Sequence, residues 1–338
     1  MLIVGLEVGP ALQRAHRVLG SGTGVLFAGF PRWVACPLAM ILLIGVSACT
    51  AAEPRSAATP TVPPTSATGM AASPRSTDTL PPLVGKKGAA LPRPDHVVVV
   101  ILENEQRSSI MGSAQAPYLN ELAARGANLT QSYGVAHPSQ PNYLALFSGS
   151  TQGVTSNACP QQFPKADNLG HQLLVAGLSF AGYAESLPNV GFTGCASGRY
   201  QRKHNPWVNF SNLPPSVNQP FSAFPRDYHK LPTVSFVSPN MCHSMHDCSI
   251  RTGDRWMKNH LDGYARWATH HNSWLVVTFD ENAGGTVNPI PTIILGDHIR
   301  SGRYAQKINH YTVLRTIEEV YGLPALGYAA AAYPLSKI

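Results

Sequence analysis

Continuous apolar runs alternate with helix-like segments from residue 96 onwards. The first run, His96–Glu103, and a late one, Trp274–Asp280, are almost wholly apolar and end in a carboxylate. Such runs are typical of parallel strands that are buried on both faces. Further strands are predicted at Asn128–Tyr133, Leu178–Tyr183, Thr233–Val237 and Ile290–Leu295.

Amphipathic segments with helical spacing separate these runs. Helices are predicted at Ala116–Arg125, Ser139–Ser148, Asn168–Ala176, Gly253–His270 and Tyr311–Tyr321. Strands that alternate with helices predict an α/β fold: a doubly wound, mostly parallel sheet with helices on both faces, in a single domain. In such sheets, ligand sites form beyond the carboxyl ends of the strands.

The N-terminal region has a different pattern and predicts an export signal over residues 1–49. Trp33–Ala48 is an apolar run of 16 residues preceded by Arg32. A membrane helix needs about 20 residues, so the run fits a secretory signal better. It ends in Val46-Ser-Ala-Cys49, which resembles a bacterial lipobox and predicts lipidation of Cys49. A plain secretory signal cut after Ala48 and an uncleaved anchor are the alternatives.

Residues 50–92 are rich in Ala, Pro, Thr and Ser and have almost no large apolar side chains. This composition predicts a disordered linker, because too little apolar surface is available for a core. The folded domain is then expected at 93–338, held at the cell envelope as a lipoprotein or secreted. We expect this domain to be a monomer.

Export also bears on the cysteines of the predicted domain, which are Cys159, Cys195, Cys242 and Cys248. An even number of cysteines in an oxidising compartment predicts two disulfides, and three connectivities are possible. A zinc site is the alternative, although no Cys-x-x-Cys pair is present.

The overall charge excludes some partners. Charged residues make up 13% of the chain and the net charge is +7 over 338 residues. This charge is too dilute for a nucleic-acid-binding surface, and no zinc-finger or RNA-recognition pattern accompanies it. Histidine is unevenly placed, since 12 of the 13 histidines follow residue 95.

Polar side chains follow the two carboxylate-terminated strands. Glu103-Asn104 ends the first, and Asp280-Glu281 ends the late one. Carboxylate and amide oxygens at one sheet edge suit a hard divalent cation. For Glu103 alone, a solvated acid at a strand end is the alternative.

Three more groups add a nucleophile and proton-transfer residues. Ser139 lies where a turn enters a helix, which suits an anion or a nucleophile that attacks one; a helix N-cap is the alternative. His246-Asp247 follows the Thr233–Val237 strand and suits metal binding or protonation of a leaving group. His310 precedes the last helix, where a helix-capping role is the alternative.

The order of these groups resembles the alkaline-phosphatase-like superfamily, and more closely the bacterial phosphoesterase family of acid phosphatases and phospholipases C. The resemblance covers about residues 96–330. It includes His137-Pro-Ser-Gln-Pro-Asn-Tyr-Leu-Ala-Leu-Phe147, Lys203-His-Asn-Pro-Trp-Val-Asn-Phe-Ser211, Leu231-Pro-Thr-Val-Ser-Phe-Val237 and Met245-His-Asp247.

The resemblance implies a role for each group. A divalent metal, of open identity and number, would be held by Glu103, Asn104, Asp280 and Glu281. Ser139 would be the nucleophile, deprotonated by that metal. The remaining roles would be a phosphoryl-oxygen contact for Asn142, phosphate contact or leaving-group protonation for His137 and His246, and completion of the site or a second metal for Asp247 and His310.

The implied function is an exported acid phosphatase that hydrolyses phosphate monoesters through a phosphoserine intermediate, with phosphatidylinositol 3-phosphate as a candidate substrate. A phosphodiesterase or phospholipase C on the same fold is the first alternative, and a non-catalytic binding lipoprotein is the second. The resemblance also implies that the cysteines pair as Cys159–Cys195 and Cys242–Cys248.

A basic cluster predicts a second substrate contact. It consists of Arg199, Arg202, Lys203 and His204, and Trp207 and Phe210 follow closely. The cations are expected to meet the phosphates of a lipid headgroup while the aromatic rings lie against the lipid. A solvated loop is the alternative.

Overall fold

The computed structural model describes residues 91–338. The predicted export signal, with Cys49, and nearly all of the predicted linker lie outside the described residues. Within residues 91–338, no helix has the length and apolar character that a membrane crossing requires.

The described residues form strands and α-helices in alternation, joined by several short 3-10 helices. The strands are β1 (His96–Leu102), β2 (Ala127–Tyr133), β3 (Phe180–Ala184), β4 (Ala196–Ser197), β5 (Tyr200–Gln201), β6 (Asn218–Pro220), β7 (Val234–Ser238), β8 (Ser273–Phe279), β9 (Thr292–Gly296) and β10 (Gly302–Asn309). The helices are α1 (Arg107–Ile110), α2 (Pro117–Arg125), α3 (Ser139–Ser148), α4 (Leu169–Val175), α5 (Ile250–Ala268) and α6 (His310–Tyr321).

Eight strands form one sheet in the order β10-β2-β9-β8-β1-β7-β3-β6. Strand β9 runs antiparallel to both of its neighbours, and the other pairings are parallel. β4 and β5 pair separately as a small antiparallel ribbon. The predicted mostly parallel α/β sheet is confirmed.

Strand β1 shows why the sheet is covered on both faces. Its side chains alternate between two cores, with Val97 in one and Val98 in the other. The first core also takes residues of α3, α4 and α6, and the second takes residues of α2 and α5. Because successive strand residues point to opposite faces, this division confirms the doubly wound arrangement.

The predicted elements agree with the structure to within a few residues, but the short elements α1, β4, β5 and β6 and the longer strand β10 were not predicted. Of these, β10 is the longest. It lies at the edge of the sheet, and of its eight residues only Ile308 is buried. An edge strand with so few apolar side chains carries little of the alternating signal that identifies strands.

Candidate active site

The register between β1 and β8 brings two acidic strand ends together. These parallel neighbours place Leu102 opposite Phe279, so the residues that follow, Glu103 and Asp280, lie side by side. The backbone N–H of Asn104 donates to Asp280 Oδ1 at 3.1 Å. Glu103 and Asp280 have no exposed surface, and Glu281 is 5% exposed.

Burial disfavours the charged forms of this carboxylate cluster, defined as Glu103, Asp280 and Glu281. Burial raises the pKa of Glu103 well above its usual value, and the charge of Asp280 adds to the effect. Burial and the neighbouring Glu281 likewise raise the pKa of Asp280. Burial raises the pKa of Glu281 too, although His137 opposes this shift.

The oxygen Asp280 Oδ2 is buried and has no hydrogen-bond partner among the described residues. Buried carboxylates of like charge destabilise one another unless a cation lies among them. The carboxylate cluster therefore suits a hard divalent metal, because all of the ligand atoms that it offers are oxygens.

Ser139 lies against the carboxylate cluster. It is the first residue of α3, after the cap residue Pro138, and its Oγ lies 3.2 Å from both Glu103 Oε2 and Glu281 Oε1. No side chain caps α3. The alternative that Ser139 is only an N-cap is therefore wrong, and its hydroxyl is held by acidic groups from two strands.

Two histidines brace the cluster from different sides. His137 Nδ1 lies 2.6 Å from Glu281 Oε2. His310 Nε2 lies 2.6 Å from the backbone oxygen of Asp280, and burial lowers the pKa of His310 to about 4. The neutral ring donates to that carbonyl. The capping residue of α6 is Asn309, so the alternative of a helix-capping His310 is wrong.

The side-chain amide of Asn142 bonds to the backbone of the turn that precedes Ser139. Its Oδ1 accepts the backbone N–H groups of Val135 and Ala136 at 2.8 and 3.0 Å. Its amide nitrogen donates to the carbonyls of Ala136 and Pro138. Since these bonds use the whole amide, Asn142 shapes the turn before Ser139, and its contact with a phosphoryl oxygen stays a prediction.

A second ligand group shares Glu103. One ligand atom each from Glu103, His204 and His246 lies within 4.8 Å of the others. His204 Nε2 lies 3.2 Å from Glu103 Oε1, and the Tyr143 hydroxyl donates to the same oxygen. Sequence reasoning missed His204 and Tyr143 as members of the site. Their positions after Lys203 and within α3 carry no signal of their own.

His246 and Lys203 approach this group from the loop side. Lys203 Nζ lies 3.2 Å from His246 Nε2. Asp247 Oδ1 lies 2.7 Å from His246 Nδ1, which orients the ring with Nε2 towards Lys203. Asp247 is itself half exposed. It therefore acts on His246 rather than on the carboxylate cluster.

The loop that carries His246 is held at several points. The backbone oxygen of Ser244 accepts the N–H of Glu103 at 2.9 Å. Glu185, directly after β3, pairs with His243 at 2.8 Å and accepts from Trp256 Nε1 at 3.0 Å. Sequence reasoning did not single out this pair.

Two disulfides are present among the described residues, and both predicted pairs are confirmed. Cys242 is bonded to Cys248, which closes the loop around His246. Cys159 is bonded to Cys195. The zinc-site alternative for these cysteines is therefore wrong.

The predicted headgroup surface does not form as four exposed cations. Arg202 is 4% exposed, and its guanidinium donates to Asn209 Oδ1 and to carbonyls of the surrounding loops. His204 is buried beside Glu103, and the rings of Trp207 and Phe210 are buried in the core. Only Arg199 is exposed, while Lys203 is half-buried beside His246.

A serine held by buried acids beyond the strand ends of an α/β sheet defines the class of this site. It is suited to nucleophilic transfer of a charged group with help from a metal. The chain belongs to the Phosphoesterase family, whose family model matches residues 105–324. The prediction of an enzyme of this family is confirmed.

Named relatives support this membership. The chain is 52% identical over 259 residues to the phosphatidylinositol-3-phosphatase of Mycobacterium tuberculosis, covering 76% of this chain and 87% of that protein. It is 31% identical to a probable acid phosphatase of Kluyveromyces lactis, covering 71% of this chain and 61% of that one.

Solved structures bear on the fold alone. A protein in the alkaline phosphatase superfamily from Vibrio parahaemolyticus matches with a TM-score of 0.53 and 13% identity, over 74% of each chain. At this identity the likeness supports the architecture and says nothing of the substrate.

Proposed function

We propose that this protein is an acid phosphatase that hydrolyses phosphate monoesters, including phosphatidylinositol 3-phosphate, with Ser139 as the nucleophile. The observation that carries the proposal is the placement of Ser139 Oγ, 3.2 Å from both Glu103 and Glu281. The name of the relative from Mycobacterium tuberculosis supports the phosphoinositide substrate, and the name of the yeast relative supports the monoester class.

The carboxylate cluster would hold a divalent metal. The residues for it are Glu103, Asp280 and Glu281, and His204 offers a nitrogen ligand beside Glu103. When bound, such an ion supplies Lewis-acid polarisation and lowers the pKa of a coordinated hydroxyl. The Asn104 side chain stays a predicted ligand, whereas its backbone N–H orients Asp280.

The chain's own residues account for the first transfer. Ser139 Oγ attacks phosphorus, its proton passes to the carboxylate it already contacts, and a phosphoserine forms as the bond to the leaving oxygen breaks. Lys203, which contacts His246, and His137, which contacts Glu281, would offset the charge of the phosphoryl oxygens. Such groups stabilise charge that develops during transfer.

The pair His246–Asp247 suits protonation of the leaving alcohol. Asp247 contacts His246 Nδ1, so Nε2 is the nitrogen that faces the site. In the second half of the cycle the same ring takes a proton from the water that attacks phosphorus. The bond between phosphorus and Ser139 Oγ breaks, the carboxylate returns its proton to Oγ, and phosphate is released. His310 positions Asp280 through its backbone oxygen.

Export is a further part of the proposal. The export signal over residues 1–49, with lipidation at Cys49, and the linker that follows would hold the domain near a membrane surface that carries substrate. The two disulfides support an oxidising compartment, because such bonds are rare in reducing ones. A monomeric state is proposed on the same footing.

The test compares Ser139→Ala with Ser222→Ala, a matched change at an exposed serine. S139A is expected to lose at least about a thousandfold in kcat on p-nitrophenyl phosphate, with an unchanged melting temperature. S222A is expected to match the wild type. An S139A variant that keeps half the wild-type rate would contradict the nucleophile assignment.

A substrate panel separates the monoesterase from its alternative. The wild-type protein is expected to hydrolyse p-nitrophenyl phosphate and phosphatidylinositol 3-phosphate, and a chelator is expected to stop both reactions. Faster hydrolysis of bis(p-nitrophenyl) phosphate would instead favour a phosphodiesterase. If the chelator stopped neither reaction, the metal requirement would be contradicted.

A further inference from the structure

A second cavity, outside the site of Ser139, is lined by two arginines. It has a volume of about 680 Å³ and is bounded by residues of α1, α2, β2 and β10. Its polar lining comes from Arg107, Ser108, Asn120, Asn128 and Arg303. None of its described lining residues is acidic, although Glu103 of the carboxylate cluster lies only four positions before Arg107.

Arg107 is fixed in position without being neutralised. Its guanidinium donates to the backbone oxygen of Leu129 at 3.1 Å and to Asn128 Oδ1 at 2.6 Å. Its own backbone N–H donates to Pro289 at 3.1 Å. Both acceptors of the guanidinium are uncharged. Together they leave some of the five N–H donors of the guanidinium unused. The side chain is half-buried, so its charge is only partly solvated.

Arg303 brings a second positive charge to the same cavity. It is the register partner of Asn128 between the parallel strands β10 and β2. Side chains of register partners lie on the same face of a sheet, so Arg303 lies on the face where Asn128 holds Arg107. Burial lowers the pKa of Arg107, and the charge of Arg303 lowers it further.

The arrangement lacks a counter-ion among the residues that the structure describes. Arg107 is half-buried and lies near the like charge of the exposed Arg303, and an anion between the two removes the cost of their repulsion. Guanidinium groups match the oxygens of phosphate well, because their forked N–H donors form paired, charge-assisted hydrogen bonds. A dianion also matches the charge of two arginines.

We propose that Arg107 and Arg303 form a second phosphate-binding site, distinct from the site where Ser139 reacts. The ligand is a phosphate group, carried either by free inorganic phosphate or by a phosphorylated lipid headgroup. The cavity has room for more than the phosphate itself. This proposal does not depend on the proposed function, because the site is argued from its own charges and contacts.

The decisive variant is Arg303→Gln, since Arg303 is exposed and its removal does not disturb the bonds of Arg107. Arg300→Gln is the matched control, because Arg300 is also exposed, lies three positions away and does not line the cavity. Equilibrium dialysis of the full chain with radiolabelled inorganic phosphate counts the bound ions. R303Q is expected to bind one phosphate fewer than the wild type, or to bind it about tenfold more weakly, and R300Q is expected to match the wild type.

Sedimentation with vesicles distinguishes the two sources of phosphate. The vesicles contain phosphatidylcholine with either phosphatidylinositol 3-phosphate or unphosphorylated phosphatidylinositol. A loss in R303Q with free phosphate identifies the soluble ion, and a loss confined to the phosphorylated vesicles identifies the headgroup. Arg107→Lys keeps the positive charge but removes the paired N–H donors of the guanidinium. It is expected to lose less phosphate affinity than R303Q. Identical binding of R303Q and wild type to phosphate and to both vesicles would overturn the proposal.

Discussion

Two of the places where the described residues bury carboxylates differ in what surrounds the acid. At the sheet edge, Glu103, Asp280 and Glu281 lie together and contact the hydroxyl of Ser139. On α6, Glu318 also has no exposed surface, and burial raises its pKa to about 7. Glu318 accepts the backbone N–H of Leu326 at 2.9 Å.

The difference shows that burial of an acid does not by itself make a site. Glu318 serves the fold, since it holds the chain after α6 and lies 3.9 Å from Arg315. Each place has a buried carboxylate oxygen without a hydrogen-bond partner among the described residues, Asp280 Oδ2 and Glu318 Oε2. Only the carboxylate cluster, however, gathers acids from the ends of two adjacent strands around the hydroxyl of Ser139. Convergence of several acids on one reactive hydroxyl is the feature that indicates chemistry.

Among the variants that test this contrast, the largest effect is expected from Asp280→Asn, with Glu318→Gln as its matched buried control. D280N is expected to lose at least about a hundredfold in kcat on p-nitrophenyl phosphate, because it removes a charge of the proposed metal site beside Ser139. E318Q is expected to keep the wild-type rate. Initial rates at saturating substrate and metal measure both.

Calorimetric titration with a divalent ion checks the cause of that loss. D280N is expected to bind the ion at least about tenfold more weakly than the wild type, while E318Q binds it as the wild type does. In the presence of chelator, D280N is expected to melt at a higher temperature than the wild type, because one of several repelling buried charges is gone. If D280N bound the ion as tightly as the wild type, the carboxylate cluster would not differ from Glu318 in holding a metal.

The sequence predicted the strand-end acids because each follows a long apolar run, and parallel strands present their carboxyl ends at one edge. Ser139 was predicted for a similar reason, since a turn-to-helix junction exposes its first hydroxyl. The hydrophobic pattern could not predict that β1 and β8 are adjacent strands, which is what places Glu103 beside Asp280. Strand order depends on how the helices pack.

Other members of the site were missed or misplaced for a different reason. His204 and Lys203 belong to an irregular segment, in which no periodicity tells which side chain turns inward. Arg202 was expected at the surface because it is charged, yet carbonyl groups of neighbouring loops satisfy its guanidinium in the interior. Long-range contacts of loops, unlike strand ends, leave no local pattern in the sequence.

A smaller effect is expected from Lys203→Gln, with Arg199→Gln as its control. Burial raises the pKa of Glu103, and the positive charge of Lys203 opposes this shift, so Lys203 acts electrostatically on the carboxylate cluster. K203Q is expected to lose about tenfold to a hundredfold in kcat/KM on p-nitrophenyl phosphate and on phosphatidylinositol 3-phosphate alike. R199Q, at an exposed position, is expected to change the p-nitrophenyl phosphate rate little.

A loss for K203Q on the lipid substrate alone would return Lys203 to the headgroup role that the sequence suggested. It would also show that the charge of Lys203 does not reach the reacting phosphate. Steady-state rates on both substrates, measured with the same enzyme preparation, decide between the two roles.

The smallest effect, on stability alone, is expected from the pH dependence of Glu318→Gln. Burial raises the pKa of Glu318 to about 7 in the fold, whereas an unfolded Glu titrates near about 4.3. The fold therefore favours the protonated acid, and its contribution is fully present below about pH 4.3 and is lost as the pH rises through about 7. Because Gln stays neutral, E318Q is expected to exceed the wild type by on the order of 2 kcal/mol in free energy of unfolding at pH 7.5 and by almost nothing at pH 4.5.

Urea unfolding at the two pH values measures this difference, and Glu121→Gln, at a more exposed acid paired with Arg125, is expected to show no such trend. A constant difference between E318Q and wild type at both pH values would mean that Glu318 is ionised in the fold, and the contrast with the carboxylate cluster would then rest on geometry alone.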